Sequence, residues 1–457
     1  MKFKNESLIY FTLIIATLLG FAFRYFNNFY DGYWADEILT LEISNPSLSY
    51  ENFLSKWREL DDSPKFYFLF LRYFFKIFDF TAEYGRIFSI FFNTLAIFFS
   101  YYIFKKNFNY KISFTGVLLI SLNIFLIWQA KETRIQSSVI FFSIINIIFF
   151  FYYLKKTNFF NLLILVLFDV FLISYYPFTV CIVISQFFYL LLTRNKIFTT
   201  IIIFSLIMLI YVSLNYDYFI LKIHRPDTHI GPLNIKFFFN YFFSSFFGSI
   251  YLGALYLFLF ILSVFTILKN KMLRNNVLLF HFVLIFFSYF FLIFYSIFKT
   301  EIAVPRYFIF LIPSIIFIVL QLFTSNIYRK YLISFIFLTF LNTIFLYPKS
   351  SIPKPPMKNL LDNMPLTDSN IILHNDEYYK IYYENYRKFT DNYKVISNKE
   401  ANLYKKIWFI CLNNPRSIVG DLILAEDKKC KFELNNFKEI KKIYITDFKI
   451  VLFEKND

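Results

Sequence analysis

Residues 7–27 read SLIYFTLIIATLLGFAFRYFN, and from residue 31 the chain continues DGYWADEILTLEIS. The first stretch is apolar over the length that crosses a bilayer, about 20 residues. The second places an acidic pair, Asp36-Glu37, just beyond that crossing, beside Tyr33 and Trp34. A carboxylate is costly at the bilayer centre and cheap at its surface, so a pair here is well placed to act at the water–lipid boundary. Similar apolar runs recur along three-quarters of the 457 residues, of which 58% are hydrophobic and 17% charged. A soluble domain does not repeat such runs. The pattern is that of a polytopic membrane protein. The opening segment carries Lys2 and Lys4 but no small-residue cleavage signal, and is expected to remain as an anchor.

The net charge of +16 could suggest a nucleic-acid partner, but its distribution argues against one. Lys and Arg sit in alternate short loops: Lys105, Lys106 and Lys111; Lys155 and Lys156; Arg194 and Lys196; Lys269, Lys271 and Arg274; Arg329 and Lys330. That is the positive-inside pattern. With those loops in the cytoplasm, spans fall near 7–27, 87–104, 112–129, 135–154, 160–177, 178–193, 197–216, 247–268, 277–298, 306–323 and 331–347. The expected fold is mostly α, a polytopic bundle of about eleven transmembrane helices occupying 1–347. Residues 28–86 form a first external loop. Within it, 66–80 (FYFLFLRYFFKIFDF) is short for a crossing and carries Arg72, Lys76 and Asp79, which suits a helix lying in the interface. Segment 236–246 reads as a similar surface helix. A Pro-rich linker, 348–356, leads to a polar region, 357–457, with strands predicted at NIILH, KIWFICL, EIKKIYITDF and KIVLFE and a helix near 376–388. This is read as a small C-terminal extracytoplasmic α/β domain, in which Cys411 and Cys430 could pair.

Four external elements hold ionisable residues that topology alone does not explain. They are Asp36-Glu37, Asp61-Asp62-Ser63-Pro64-Lys65, Gln129-Ala130-Lys131-Glu132-Thr133-Arg134 and Pro305-Arg306-Tyr307, with Arg86 where the long loop returns to the membrane. Singly, each arginine is explained by snorkelling at a helix end. Together they bring acids and bases to one face of the bilayer, which suits a substrate with a lipid tail, an anionic head and a group to be transferred. A transporter or a lipid-linked glycan flippase or polymerase is the alternative. Transporters place ionisable residues at mid-membrane, whereas spans 87–104, 112–129 and 277–298 contain almost none, with Asp169 and His281 as exceptions.

In this order the elements resemble the GT-C superfamily of polytopic glycosyltransferases, in particular the protein O-mannosyltransferase and aminoarabinose-transferase-like branch. Asp36-Glu37 follows span one. Ser63-Pro64-Lys65-Phe66-Tyr67 is similar to that branch's "PPLYY" segment, and Arg86-Ile87-Phe88-Ser89 to its "RLPS" start of span two. Gln129–Arg134 is similar to the "QEAR" turn, with Lys131 interrupting the spacing, and Pro305–Pro313 (PRYFIFLIP) to "PRYLLPALP". The resemblance implies a GT-C fold and an inverting transfer of a hexosyl or pentosyl unit from a dolichyl- or undecaprenyl-phosphate donor. It implies Asp36 as the base, with Glu37 or Asp62 supporting it or binding a cation. Lys65, Arg86, Arg134, Arg306 and Tyr307 become donor-phosphate contacts. No cofactor is certain; adjacent carboxylates fit both a metal-free site and one holding Mg or Mn. Lipid A, another envelope glycan and a protein hydroxyl all remain open as acceptor. The place is the cell (inner) membrane, with the active site and C-terminal domain on the extracytoplasmic face.

Overall fold

Helix α1 (Lys2–Tyr25) opens the computed structural model, which describes residues 2–26, 35–61, 63–193, 197–224, 243–298, 304–348, 370–373, 394–396, 400–412, 436–445 and 448–456. Contacts divide the chain into two units, Met1–Phe26 with Pro46–Ser351, and Asn27–Asn45 with Ile352–Asp457. The expected single loop of 28–86 is therefore split. Helix α2 (Ala35–Ile43), which carries Asp36 and Glu37, groups with the C-terminal segment. Its Ile38, Leu41 and Ile43 are all buried.

The larger unit is helical. After α3 (Tyr50–Leu60) and α4 (Lys65–Ile77) come α5 (Ala82–Phe104), α6 (Tyr110–Ser121), α7 (Ile124–Ala130), α8 (Gln136–Lys155), α9 (Phe159–Tyr175) and α10 (Val180–Thr193). Then follow α11 (Ile197–Leu214), α12 (Tyr216–His224), α13 (Phe243–Phe247), α14 (Ile250–Lys269), α15 (Asn276–Phe298), α16 (Ile312–Leu322), α17 (Asn326–Arg329) and α18 (Leu332–Leu346). Among the described residues five helices are long and apolar enough to cross a membrane, or six if one bent pair counts as a span. Five further apolar helices are shorter, of 10–17 residues. Composition and length thus establish several crossings, and the figure of eleven rests on the loop charges. Helix α4 is amphipathic as expected, burying Tyr67, Phe68, Leu71, Arg72 and Phe75. Helix α12 begins inside what the sequence presents as a loop.

The expected span 112–129 is not one helix. Helices α6 and α7 meet at a bend of 50°. Inside a bilayer the carbonyls freed by such a break must find donors within the protein, and they do. Arg24 of α1 donates to Ser121 O at 3.0 Å and Ile120 O at 3.3 Å, and also to Gly20 O at 2.9 Å and Asn93 Oδ1 at 2.7 Å. Thr343 donates to Leu122 O at 2.5 Å. Asn123 caps α7 by accepting from Leu126 N at 2.9 Å and donates to Phe246 O at 2.9 Å. A guanidinium at a helix C-terminus satisfies its last carbonyls and favours its dipole. Arg24, which the sequence reading passed over as part of an anchor, is thus a staple joining α1, α5 and the break. Arg24→Leu is expected to destabilise the unit by about 1–3 kcal/mol for each carbonyl left unpaired. A thermal unfolding midpoint in detergent no lower than that of the native chain would exclude this role. A second turn depends on Gly248, whose φ of 80° joins α13 to the Ser249 cap of α14 and is adopted readily only by glycine.

Among the described residues the smaller unit contains a mixed five-stranded sheet of β1 (Asn370–Leu373), β2 (Lys394–Val395), β3 (Lys406–Leu412), β4 (Phe437–Ile445) and β5 (Phe448–Lys455) in the order β2-β1-β3-β5-β4. Strand β1 runs parallel to β2 and β3, whereas β5 is antiparallel to β3 and β4. Central β3 is buried on both faces, with Ile407 and Phe409 packed against Ile396 and Ala401 on one side and Trp408 and Ile410 on the other. That explains why KIWFICL reads as a continuous apolar run. The four predicted strands are present, and two-residue β2 was too short to be seen. The predicted helix near 376–388, Cys430 and all but Pro348 of the linker lie outside the described residues.

Candidate functional site

Helix α3 is capped by Ser49, which accepts from Asn52 N at 3.1 Å, and turns Phe53 and Trp57 inward. Trp57 then shapes the segment that follows: its indole N–H donates to Ser63 O at 2.7 Å. Asp61 completes the turn, one carboxylate oxygen accepting from Ser63 N at 2.6 Å. Its other oxygen lies 3.4 Å from the Arg134 guanidinium, and both side chains are largely shielded, at 9% and 11% exposure. The Asp-Asp-Ser-Pro-Lys segment and the Gln129–Arg134 turn, 73 residues apart in sequence, therefore meet through Asp61. Its neighbour Asp62, the acid expected in the site, lies outside the described residues.

The bent α6–α7 pair carries the Gln129–Arg134 turn to this place. Backbone bonds from Lys131 N to Trp128 O at 3.0 Å and from Arg134 N to Glu132 O at 2.8 Å close the turn, and the Ser137 hydroxyl donates to Gln129 O. Glu132 is buried. Lys131, the residue that interrupts the family-like spacing, places its ammonium 4.1 Å from the Tyr347 ring centre, a cation–π contact. Gln129 Oε1 and Trp128 Nε1 are buried atoms of this turn without a hydrogen-bond partner among the described residues.

Pro305 starts a 3-10 helix, Pro305–Leu311, that runs into α16. The Tyr307 ring stacks on Phe178 at 4.6 Å with an interplanar angle of 16°, and the Arg306 guanidinium lies 5.9 Å from the Tyr307 ring centre. Phe178 belongs to the short 3-10 turn Pro177–Thr179 between α9 and α10. Tyr176, just before that turn, lies with its ring centre 5.5 Å from that of Phe178. Helix α8, which begins just after Arg134, packs against the Pro305–Leu311 helix and brings the Gln129–Arg134 and Pro-Arg-Tyr elements together. Nothing in the sequence singled out Tyr176 or Phe178; in a chain with 36 Tyr and 70 Phe, one more aromatic carries no signal.

Lys65, at the start of α4, lies 3.2 Å from Asp217 of α12 and 5.9 Å from the Trp57 ring centre. Asp217 was also missed; it could have been noticed as the first acid after an apolar run. Arg86 is fully buried near the start of α5. Asp36 and Glu37 occupy the first turn of α2 in the other unit. Glu37 is fully buried, Asp36 half-buried, and the Asp36 carbonyl accepts from the Thr40 hydroxyl at 2.7 Å. Among the described residues, which do not include Asp62, no group of three His, Cys, Asp or Glu side chains could hold a metal ion.

The chain has likenesses among known proteins in part of its sequence and in its fold. Residues 62–216 match the family model described as dolichyl-phosphate-mannose-protein mannosyltransferase, a stretch containing Lys65, Arg86 and Arg134. The fold is similar to that of ArnT from Cupriavidus metallidurans in the apo state, at a TM-score of 0.59 and 10% identity, covering 98% of each chain. The same protein bound to undecaprenyl phosphate matches at 0.52 and 12% identity, over 98% of this chain and 97% of that one. The apo oligosaccharyltransferase of Archaeoglobus fulgidus matches at 0.53 and 11% identity, over 92% of this chain and 72% of that one. A sequence comparison with curated proteins finds no match. The family match thus covers part of the chain, and the likeness to the solved structures is one of fold; both are in keeping with the class that the sequence motifs resemble.

Proposed function

We propose that the protein is an inverting glycosyltransferase that moves a sugar from a polyprenyl-phosphate donor to an acceptor hydroxyl at the outer face of the membrane. The observation that carries this reading is the packing of α8, which begins just after the Gln129–Arg134 turn, against the Pro305–Leu311 helix, so that two arginine-bearing elements lie in one region of the helical unit with Arg134 paired to Asp61. The family match over 62–216 and the likeness to a protein crystallised with undecaprenyl phosphate support it.

In the reaction the acceptor oxygen bonds to the anomeric carbon while the bond from that carbon to the phosphate oxygen breaks. The bonding pair leaves with the lipid phosphate, and the acceptor proton passes to a carboxylate. Asp36 is the base we assign, since a half-buried carboxylate on a short helix combines access with a defined position. Glu37 and Asp62 are its supporting acids, and a divalent cation at these acids is an open part of the proposal. Arg134 and Arg306 meet the growing phosphate charge in a water-poor setting, where fixed cations are most effective. A guanidinium has five N–H donors, so pairing with Asp61 is compatible with a two-point grip on phosphate. Lys65 and Arg86 add positive charge, and Tyr307, braced on Phe178, orients the head group. Attack opposite the leaving phosphate inverts the anomeric centre.

A radiolabelled polyprenyl-phosphate sugar supplied to the purified protein with envelope acceptors is expected to lose its label to one of them. Absence of transfer with lipid A, envelope glycan and protein acceptors alike, across hexosyl and pentosyl donors, would reject the enzyme reading and favour transport. The proposed orientation has its own test. Reporters fused after residues 110 and 272 should be cytoplasmic and those after 230 and 400 external. A cytoplasmic report at 400 overturns the assignment of the smaller unit to the outer face.

A further inference from the structure

The far end of α8 from the Arg134 cluster, about 30 Å away at 1.5 Å per residue, borders a different feature. A cavity of about 380 Å³ opens there between the ends of several helices, lined by Lys106, Lys155, Thr193 and Asn276 with Phe151 and Leu154 among its apolar walls. That volume falls within the range of small-ligand sites. Among the described residues no Asp or Glu lines it.

The two lysines are selected from two adjacent pairs. Lys105 and Lys156 lie against tyrosines, 5.7 Å from the Tyr101 ring centre and 5.9 Å from that of Tyr152. Their neighbours Lys106 and Lys155 line the cavity instead. The loop bearing Lys106 is tied down, since Asn107 donates to Gln321 Oε1 at 2.8 Å and accepts from Asn275 Nδ2 at 2.6 Å. Burial, and then the charge of Lys155, hold the Lys106 ammonium below its ordinary range. Both side chains are exposed at the cavity, where two like charges repel each other and an anion between them reverses the sign of that interaction.

We propose that Lys106 and Lys155 form a binding site for the phosphate of an anionic membrane phospholipid, with Thr193 and Asn276 as hydrogen-bonding groups for its polar head. The commitment to a lipid follows from the setting. The cavity walls are the ends of apolar helices α8 and α15, at the end of the unit that carries the short basic loops, where a bilayer presents its headgroups. The site is independent of the glycosyltransferase reading and shares no residue with it.

The test uses the full-length protein, delipidated in detergent and titrated with phosphatidylglycerol or phosphatidylcholine, with retained lipid counted by native mass spectrometry. The native protein should prefer the anionic lipid, and Lys106→Gln/Lys155→Gln should bind it about 30-fold more weakly, two lysines at roughly fivefold each. Lys106→Arg/Lys155→Arg should keep the preference. Lys269→Gln/Lys271→Gln, a basic pair at the same end outside the cavity lining, should change it little. Unfolding midpoints of all variants check that each is folded. Equal binding of the two lipids by native protein overturns the proposal, as does an equal loss in the Lys269/Lys271 control, which would make the preference a diffuse charge effect. Displacement of the lipid by inorganic phosphate at matching concentration would assign the site to a soluble anion and overturn its lipid identity.

Discussion

Asp36→Asn is expected to lower sugar transfer by roughly 10²–10⁴-fold, the usual contribution of a positioned general base. The substitution preserves size and the α2 backbone, including the bond from Thr40 to the Asp36 carbonyl. It removes only the ability to take a proton, because an amide nitrogen has no basic lone pair. Donor binding, which is assigned to arginines on other elements, should survive within a few-fold. The decisive measurement pairs single-turnover transfer from a labelled donor with equilibrium binding of the same donor. Near-native turnover in a folded Asp36→Asn protein removes the base assignment from Asp36 and directs attention to Asp62. Loss of binding together with turnover would instead mean that Asp36 holds the donor and is not its base.

Arg134→Ala should have two separable effects. Asp61 and Arg134 form a shielded pair at 3.4 Å, and removing one partner of a buried pair leaves the other charge uncompensated, at a cost of about 3–5 kcal/mol. If Arg134 also grips the leaving phosphate, transfer should fall by roughly 10²–10³-fold, as for loss of one electrostatic transition-state contact. The double variant Asp61→Ala/Arg134→Ala separates the two. It deletes both charges, so stability should recover by a few kcal/mol while transfer stays low. Recovery of both stability and transfer would reduce Arg134 to a structural anchor. Arg134→Lys should restore only part of the transfer, since an ammonium cannot grip two phosphate oxygens in the guanidinium fork.

The relation of sequence to structure differs by element. Apolar runs of span length and clustered loop lysines are local signals, and they marked the helical unit, most of its helices and the loops between them. Strand β3 and the amphipathic α4 were likewise legible, because burial on both faces or on one face imposes a composition that can be read directly. The break between α6 and α7 was not legible. The segment is largely apolar, and the carbonyls freed at the bend are met by Arg24 and Thr343, donors from distant parts of the chain.

The site shows the same division. The residue types were visible in sequence: carboxylates after the first span, arginines at Arg86, Arg134 and Arg306, and the Pro-Arg-Tyr start of a late helix. Their order also carried the resemblance to GT-C enzymes. The partnerships were decided by tertiary structure. Folding, and not sequence distance, pairs Arg134 with Asp61, sets Lys65 beside Asp217 and stacks Tyr307 on Phe178. Hydrophobic periodicity and loop charge act over a few residues and leave their mark on composition. An ion pair or a ring stack depends on where two distant backbones cross, and no property of either residue alone records that crossing.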